Sequence, residues 1–173
     1  MTAVRLQVPQ QLFDPFFFEE NEVIVCPERH MDEAHFFAYE MLYYNGKEAE
    51  ESPWLHREKS IKFVMDIWNK EQVIIIEQFK FRDKSVQQHM KKGIALLYML
   101  LFWSNSVPVS LQEWHLECEK LSLKPVNIEE RLFFIRQNPN LYHSFVQLTE
   151  LFRELHKQIA KDRAINNMKK TRE

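Results

Sequence analysis

Glycine is nearly absent from this sequence. Gly46 and Gly93 are the only two in 173 residues, where ordinary usage of about 7% would give roughly a dozen. That scarcity argues against phosphate-cradling glycine loops, Rossmann turns and barrels rich in tight turns. Cysteine is equally sparse. Cys26 and Cys118 lie far apart and in no Cys-x-x-Cys spacing, so two free, buried thiols are expected rather than a disulfide framework. Charge of one sign is missing too, because the net charge is -2 and gives no overall field toward nucleic acid or a bilayer. The longest apolar run, Ile94 to Trp103, covers ten residues, about 15 Å of helix or half the hydrocarbon core of a membrane. The N-terminus meets Pro9 and Asp14 without a continuous apolar segment and does not read as a signal peptide. A soluble, cytoplasmic protein without membrane insertion is expected.

Phenylalanine is abundant at 14 residues, within a chain that is 45% hydrophobic and 28% charged. This balance fits one globular domain with a large aromatic core. Ser52-Pro53 and Asn138-Pro139 each offer a side-chain cap followed by proline at a first helical position. Ser110-Leu111-Gln112-Glu113 and Asn127-Ile128-Glu129-Glu130 have capping-box spacing, Asp83 reads as a further cap, and Asn45-Gly46 as a stop. These signals predict helices at about 27–45, 53–81, 84–104, 110–121, 127–137 and 139–168. In the last of these, Leu141, Phe145, Leu148, Phe152, Leu155 and Ile159 form one apolar stripe. The run Val73 to Ile76 suits strand or helix; Ile61, Val64, Met65 and Trp68 upstream keep it helical. The fold class predicted is all-α, a single-domain bundle of five to seven helices. Residues 1–25 are read as an extended N-terminal arm, because Pro9 and Pro15 interrupt it and no helical period is present. Residues 26–173 are read as the helical domain.

No catalytic constellation emerges, and a non-enzymatic protein without cofactor is expected. Asp32 and His35 have i, i+3 spacing and His30 lies nearby, but no second helix repeats the pattern of a di-metal bundle. Cys118 follows His115 by three residues, and a buried inert thiol is the simpler reading. Lys80, Arg82, Lys84, Lys91 and Lys92 form a basic stretch with Phe79 and Phe81 interleaved. On one unbroken helix Lys80, Lys84 and Lys91 would share a face, which makes nucleic-acid binding an alternative function. Phe16, Phe17 and Phe18 would be costly in water, so they either strap the arm to the bundle or dock a partner. Arg131 adjoins a dense apolar block and needs a carboxylate partner such as Glu150 or Glu154, or else an anionic ligand or protein partner. The side of the last helix from His143 to His156, with Tyr142, is the other candidate contact surface.

At Lys124-Pro125-Val126-Asn127-Ile128-Glu129-Glu130-Arg131-Leu132, then Asn138-Pro139-Asn140-Leu141-Tyr142-His143-Ser144-Phe145-Val146-Gln147-Leu148 and Leu151-Phe152-Arg153-Glu154-Leu155, the chain resembles the YpoC-like proteins of Gram-positive bacteria. Pro15-Phe16-Phe17-Phe18 and Pro53-Trp54 fit the same pattern. The resemblance brings no established activity, cofactor or catalytic residue with it. Genes of that family tend to lie beside those for a DnaD-type replication protein, an endonuclease III-type glycosylase and a penicillin-binding protein. It therefore implies an accessory role near DNA replication or repair, or cell-wall synthesis. The leading expectation is an interaction protein with an unknown protein partner. A helical-bundle metalloenzyme using Asp32 and His35 is the remote third reading.

Overall fold

The computed structural model describes residues 3–26, 36–47 and 51–173. Two short strands, β1 (Val4–Gln7) and β2 (Glu22–Val25), precede six helices: α1 (Ala38–Tyr44), α2 (Arg57–Lys80), α3 (Val86–Ser104), α4 (Trp114–Glu119), α5 (Ile128–Gln137) and α6 (Tyr142–Thr171). The fold is mostly helical, as the sequence predicts. The arm, however, folds back on itself: β1 and β2 pair antiparallel, with Val4 opposite Val25 and Gln7 opposite Glu22.

α3 is the centre of the bundle. Every residue from Gly93 to Ser104 is buried, which suits a helix that is apolar on all sides. α2 runs antiparallel beside it, with Gln78 bonded to Ser85 and Glu71 to His89. Gly93 sits where the helices are closest. A Cβ there would stand 2.8 Å from the Trp68 ring and 3.1 Å from Leu148, so the missing side chain lets α2 and α6 close on α3. Over that point Trp68 stacks on Phe152 at 4.1 Å. The run Val73 to Ile76 is helical, and its Ile75 is the one member facing the core.

α5 begins at Ile128 after Asn127, as the sequence predicts, though Asn127 makes no side-chain cap bond; other helix starts depart from the sequence reading. Ser110 and Glu113 make no capping box, because the Leu111 and Gln112 amides donate to the Gln11 carbonyl at 2.7 and 3.2 Å. α4 begins only after Glu113, itself at φ 53°. Asn138 closes α5 instead of opening α6, since its side chain donates to the Phe134 carbonyl at 3.0 Å. α6 starts at Tyr142, which leaves Leu141 half exposed, and Leu151 joins the buried stripe. A turn at Phe36–Phe37, with Phe37 at φ 59°, interrupts the helix predicted from 27 onward; residues 27–35 lie outside the described ones. The stop at Gly46 forms as expected. Lys47 N–H donates to the Leu42 carbonyl at 2.9 Å and Gly46 N–H to Tyr43 at 3.0 Å, the paired bonds of a Schellman turn. The same turn ends α2 with Arg82 (φ 52°) and α3 with Ser106 (φ 61°) in glycine's place.

Two buried ionisable sites fix the arm and α1 to this core. Arg136 of α5 is ion-paired to Asp14 of the arm at 2.8 Å, with both side chains almost wholly buried. Its guanidinium also donates to the Tyr98 hydroxyl at 3.1 Å. Around it lie the rings of Phe16 (4.8 Å), Trp114 (5.3 Å), Phe17 (5.8 Å) and Tyr98 (5.9 Å). Glu40 of α1 is fully buried, and its Oε1 accepts from Trp103 Nε1 at 2.6 Å and from the Val109 amide at 3.2 Å. Its Oε2 has no hydrogen-bond partner among the described residues. Burial outweighs the two bonds and pushes its pKa up to about 7.

These two sites generate distinct expectations. Between about pH 4.5 and 7 folded Glu40 keeps a proton that the unfolded chain has released, so stability falls as pH rises through that window and levels off above it. The contribution is roughly 3 kcal/mol. Urea unfolding of Glu40→Gln at pH 5 and pH 8 should show a smaller loss across the window than wild type by about that amount; an identical loss would refute the assignment. Arg136→Ala strands Asp14 and should cost about 3–5 kcal/mol, with part of the loss recovered on adding Asp14→Asn.

Candidate functional site

The sequence-predicted residues separate into those that hold the fold and those that face solvent. Phe17 is buried, in edge contact with Phe37 at 5.1 Å and Tyr98 at 5.9 Å. Phe16 and Phe18 are partly covered by the same cluster. The three therefore serve as the strap, and Phe17 presents no docking surface. Arg131 donates to both oxygens of Glu154 at 2.9 Å, and to the Val126 carbonyl at 3.3 Å. This fork joins α5 to α6 and holds the Glu154 carboxyl below the usual range. The guanidinium is committed to that pair. Cys118 is fully buried, and loss of solvent pushes its thiol up to about 12, leaving almost no thiolate near neutral pH. Asp32, His35 and His30 lie outside the described residues; among the described ones no His, Cys, Asp or Glu group has metal-binding geometry.

The basic stretch does not form one face. α2 ends at Lys80, the chain reverses through Arg82 and Lys84, and Lys91 and Lys92 lie beyond the break on α3. Lys92 is bonded to Glu71 at 2.6 Å, and Lys91 stands 5.6 Å over the Phe16 ring. Lys80, Arg82 and Lys84 alone are exposed, together at the α2–α3 turn.

That turn shares one end of the bundle with the α5–α6 turn. Phe79, near the end of α2, meets Tyr142 at the start of α6 at 5.5 Å and Phe145 at 5.9 Å. Phe134, near the end of α5, meets His143 at 5.6 Å. Large apolar side chains stay in water here: Phe81 is 73% exposed, Tyr142 59% and Leu141 48%, with Phe134 and Val146 just over a third exposed. Lys80 reaches over the Phe81 ring at 5.5 Å. Local geometry produces the clustering. The Schellman turn at Arg82 throws Phe81 outward, and the use of Asn138 as an α5 cap leaves Leu141 and Tyr142 at an exposed helix start.

Of this surface Tyr142, the three cations with the interleaved Phe81, and the helix side that carries Val146 are legible as candidates in the sequence. Phe134 reads in sequence as core, within Leu132-Phe133-Phe134-Ile135, and no local signal marks it as exposed. Arg136 flanks that same block on the other side from Arg131, but its partner Asp14 is 122 positions away and no spacing argument reaches it.

Comparison with known proteins places the chain. A family model described as "YpoC-like protein" matches residues 58–167, which span α2 to most of α6. The chain is 34% identical over 116 residues to "Uncharacterized protein YpoC" of Bacillus subtilis (strain 168), covering 66% of this chain and 71% of that protein. No solved structure matches. With its bundle of α2 to α6 matched almost end to end, the chain belongs to the YpoC-like family.

Proposed function

We propose that this protein is a non-enzymatic interaction module that engages a protein partner through the end of the bundle where α2, α5 and α6 meet. The observation that carries this reading is the group of solvent-exposed Phe81, Phe134, Leu141, Tyr142 and Val146 at one end. Isolated exposed apolar residues are ordinary, but several large ones at one end of the bundle, with cations at the adjoining turn, have the composition of an interface centre. Lys80, Arg82 and Lys84 supply the rim and select a partner segment that combines apolar anchors with acidic residues. The place of action is the cytoplasm. The setting is an accessory role near DNA replication or repair, or cell-wall synthesis, which rests on the family resemblance alone.

The second reading is nucleic-acid binding at the same end. It draws on three cations in place of five, since Lys91 and Lys92 are engaged elsewhere. Three phosphate contacts correspond to a salt slope of about -2.7 and weak affinity, which favours the protein partner.

The test uses the full chain carrying Phe81→Ser and Tyr142→Ser together. Both side chains are largely exposed, so the melting temperature should stay close to wild type. Wild type should capture a protein in nuclease-treated lysate, and binding of the purified pair should weaken at least tenfold in the variant. Equal binding by variant and wild type would refute the surface. Partners lost on nuclease treatment would transfer it to nucleic acid.

A further inference from the structure

α2 turns Val64, Trp68, Glu71 and Ile75 into the bundle. The opposite side of such a helix is normally polar, and here it is not. Val73 points directly away from Val64 at 100° per residue and is 60% exposed, with Ile76 (51%) and Ile74 (38%) on either side of it. Leaving these β-branched chains in water forgoes roughly 25 cal/mol for each Å² that a contact could bury. Exposed charges frame them along the same helix: Asp66, Lys70, Glu77 and Lys80. Asp66 is paired to Lys62 one turn back at 2.7 Å, and Lys80 reaches over the Phe81 ring. Lys70 and Glu77 have no ion-pair partner among the described residues.

Two copies of this face are complementary in one orientation. Laid parallel and in register, Lys70 would oppose Lys70 and Glu77 would oppose Glu77, four like charges in two repelling pairs. Turned antiparallel about a two-fold axis at Val73–Ile74, Val73 meets its own copy. Lys70 then lies opposite Glu77 of the partner subunit, and Asp66 opposite Lys80 of the partner subunit. Symmetry makes each of these attractions twice. Ile76 falls against the aliphatic stem of the partner's Lys70, which can cover it while its ammonium reaches the carboxylate. Asp66 to Lys80 is about 21 Å of helix, and α2 ends at Lys80, which sets the length of the contact.

We propose that the outer face of α2 is the interface of a symmetric homodimer, in which two copies of this chain pair antiparallel across Val73, Ile74 and Ile76. The self-complementary order of the charges selects a second copy as the occupant. A lipid surface would be served by an excess of cations around the apolar residues, whereas this face carries two charges of each sign. A contact of four helical turns is at the small end of specific interfaces, so the dimer is a reversible one. Leu141 and Tyr142, which anchor the apolar end of the bundle, belong to α6. The dimer and the partner surface can therefore fail separately.

The test is sedimentation velocity of the full chain from about 1 to 500 µM, a range that brackets weak self-association. Wild type should move from monomer to dimer. Lys70→Glu and Glu77→Lys, each turning two attractions into two repulsions, should weaken the dimer about tenfold. Lys70→Glu combined with Glu77→Lys should restore it, because the pairs re-form with their signs exchanged. Val73→Glu sets two carboxylates against each other on the axis and should abolish it. These positions are exposed, so circular dichroism of each variant at the lowest concentration should match wild type. A chain that stays monomeric throughout would overturn the proposal. So would a dimer indifferent to the single charge reversals, or one that the double reversal fails to restore. A dimer lost in Tyr142→Ser but kept in Val73→Glu would move the contact to the apolar end and overturn the α2 pairing.

Discussion

The pairing of Arg136 with Asp14 is the constraint on which the rest of this structure depends. A guanidinium and a carboxylate are both taken out of water, an arrangement tolerable only with good geometry and further partners. The chain supplies those partners to Arg136 at the end of α5 from three places: the arm, the middle of α3 and the start of α4. Each of these segments is therefore positioned by the same charge. The Phe16 and Phe17 rings cover it, the Gln11 carbonyl beside them claims the amides before α4, and the start of that helix is set in turn. A buried ion pair contributes little net stability, but it admits few alternative arrangements, and here the arm has one seat.

The molecule treats the cations of its basic stretch in two ways. At the α2–α3 turn Lys80, Arg82 and Lys84 are left in water beside exposed aromatic rings, an arrangement suited to a large, shallow contact. On α3 Lys92 and His89 are pinned by a buried carboxylate, which ties α3 to α2. A linear stretch of basic residues thus becomes two groups of different character, divided by a left-handed residue at Arg82.

Helix identity was legible in the sequence wherever a long apolar phase could be followed; helix starts, that of α5 after Asn127 apart, were less so. The phase set by Ile61, Val64, Met65 and Trp68 carries α2 through Val73 to Ile76, against their β-branched preference. The apparent cap at Ser110 failed because the distant Gln11 carbonyl claims the neighbouring amides, and the one at Asn138 because its side chain turns back to the Phe134 carbonyl of the preceding helix. The same limit governs the sites. Arg131 finds Glu154 across one turn, within reach of sequence reasoning. Asp14 and Arg136, like Glu71 and His89, are joined by packing that spacing does not encode. Exposure of Phe134 follows from which side of α5 meets α6, and an apolar block read as a string carries no such direction.

The 122 residues between Asp14 and Arg136 also set an order of events during synthesis. At about 5–20 residues per second the arm emerges roughly 6–24 s before the arginine that seats it. The β1–β2 ladder can close early, since its two strands are near neighbours in the chain. The Phe17 and Phe18 rings can meet Phe37 once α1 is made, but Phe16 and Phe17 stay without their guanidinium until α5 is made. The nascent chain thus carries an incompletely covered aromatic triplet for most of its translation, which makes this segment a natural client for chaperones and prone to aggregation when synthesis outpaces them.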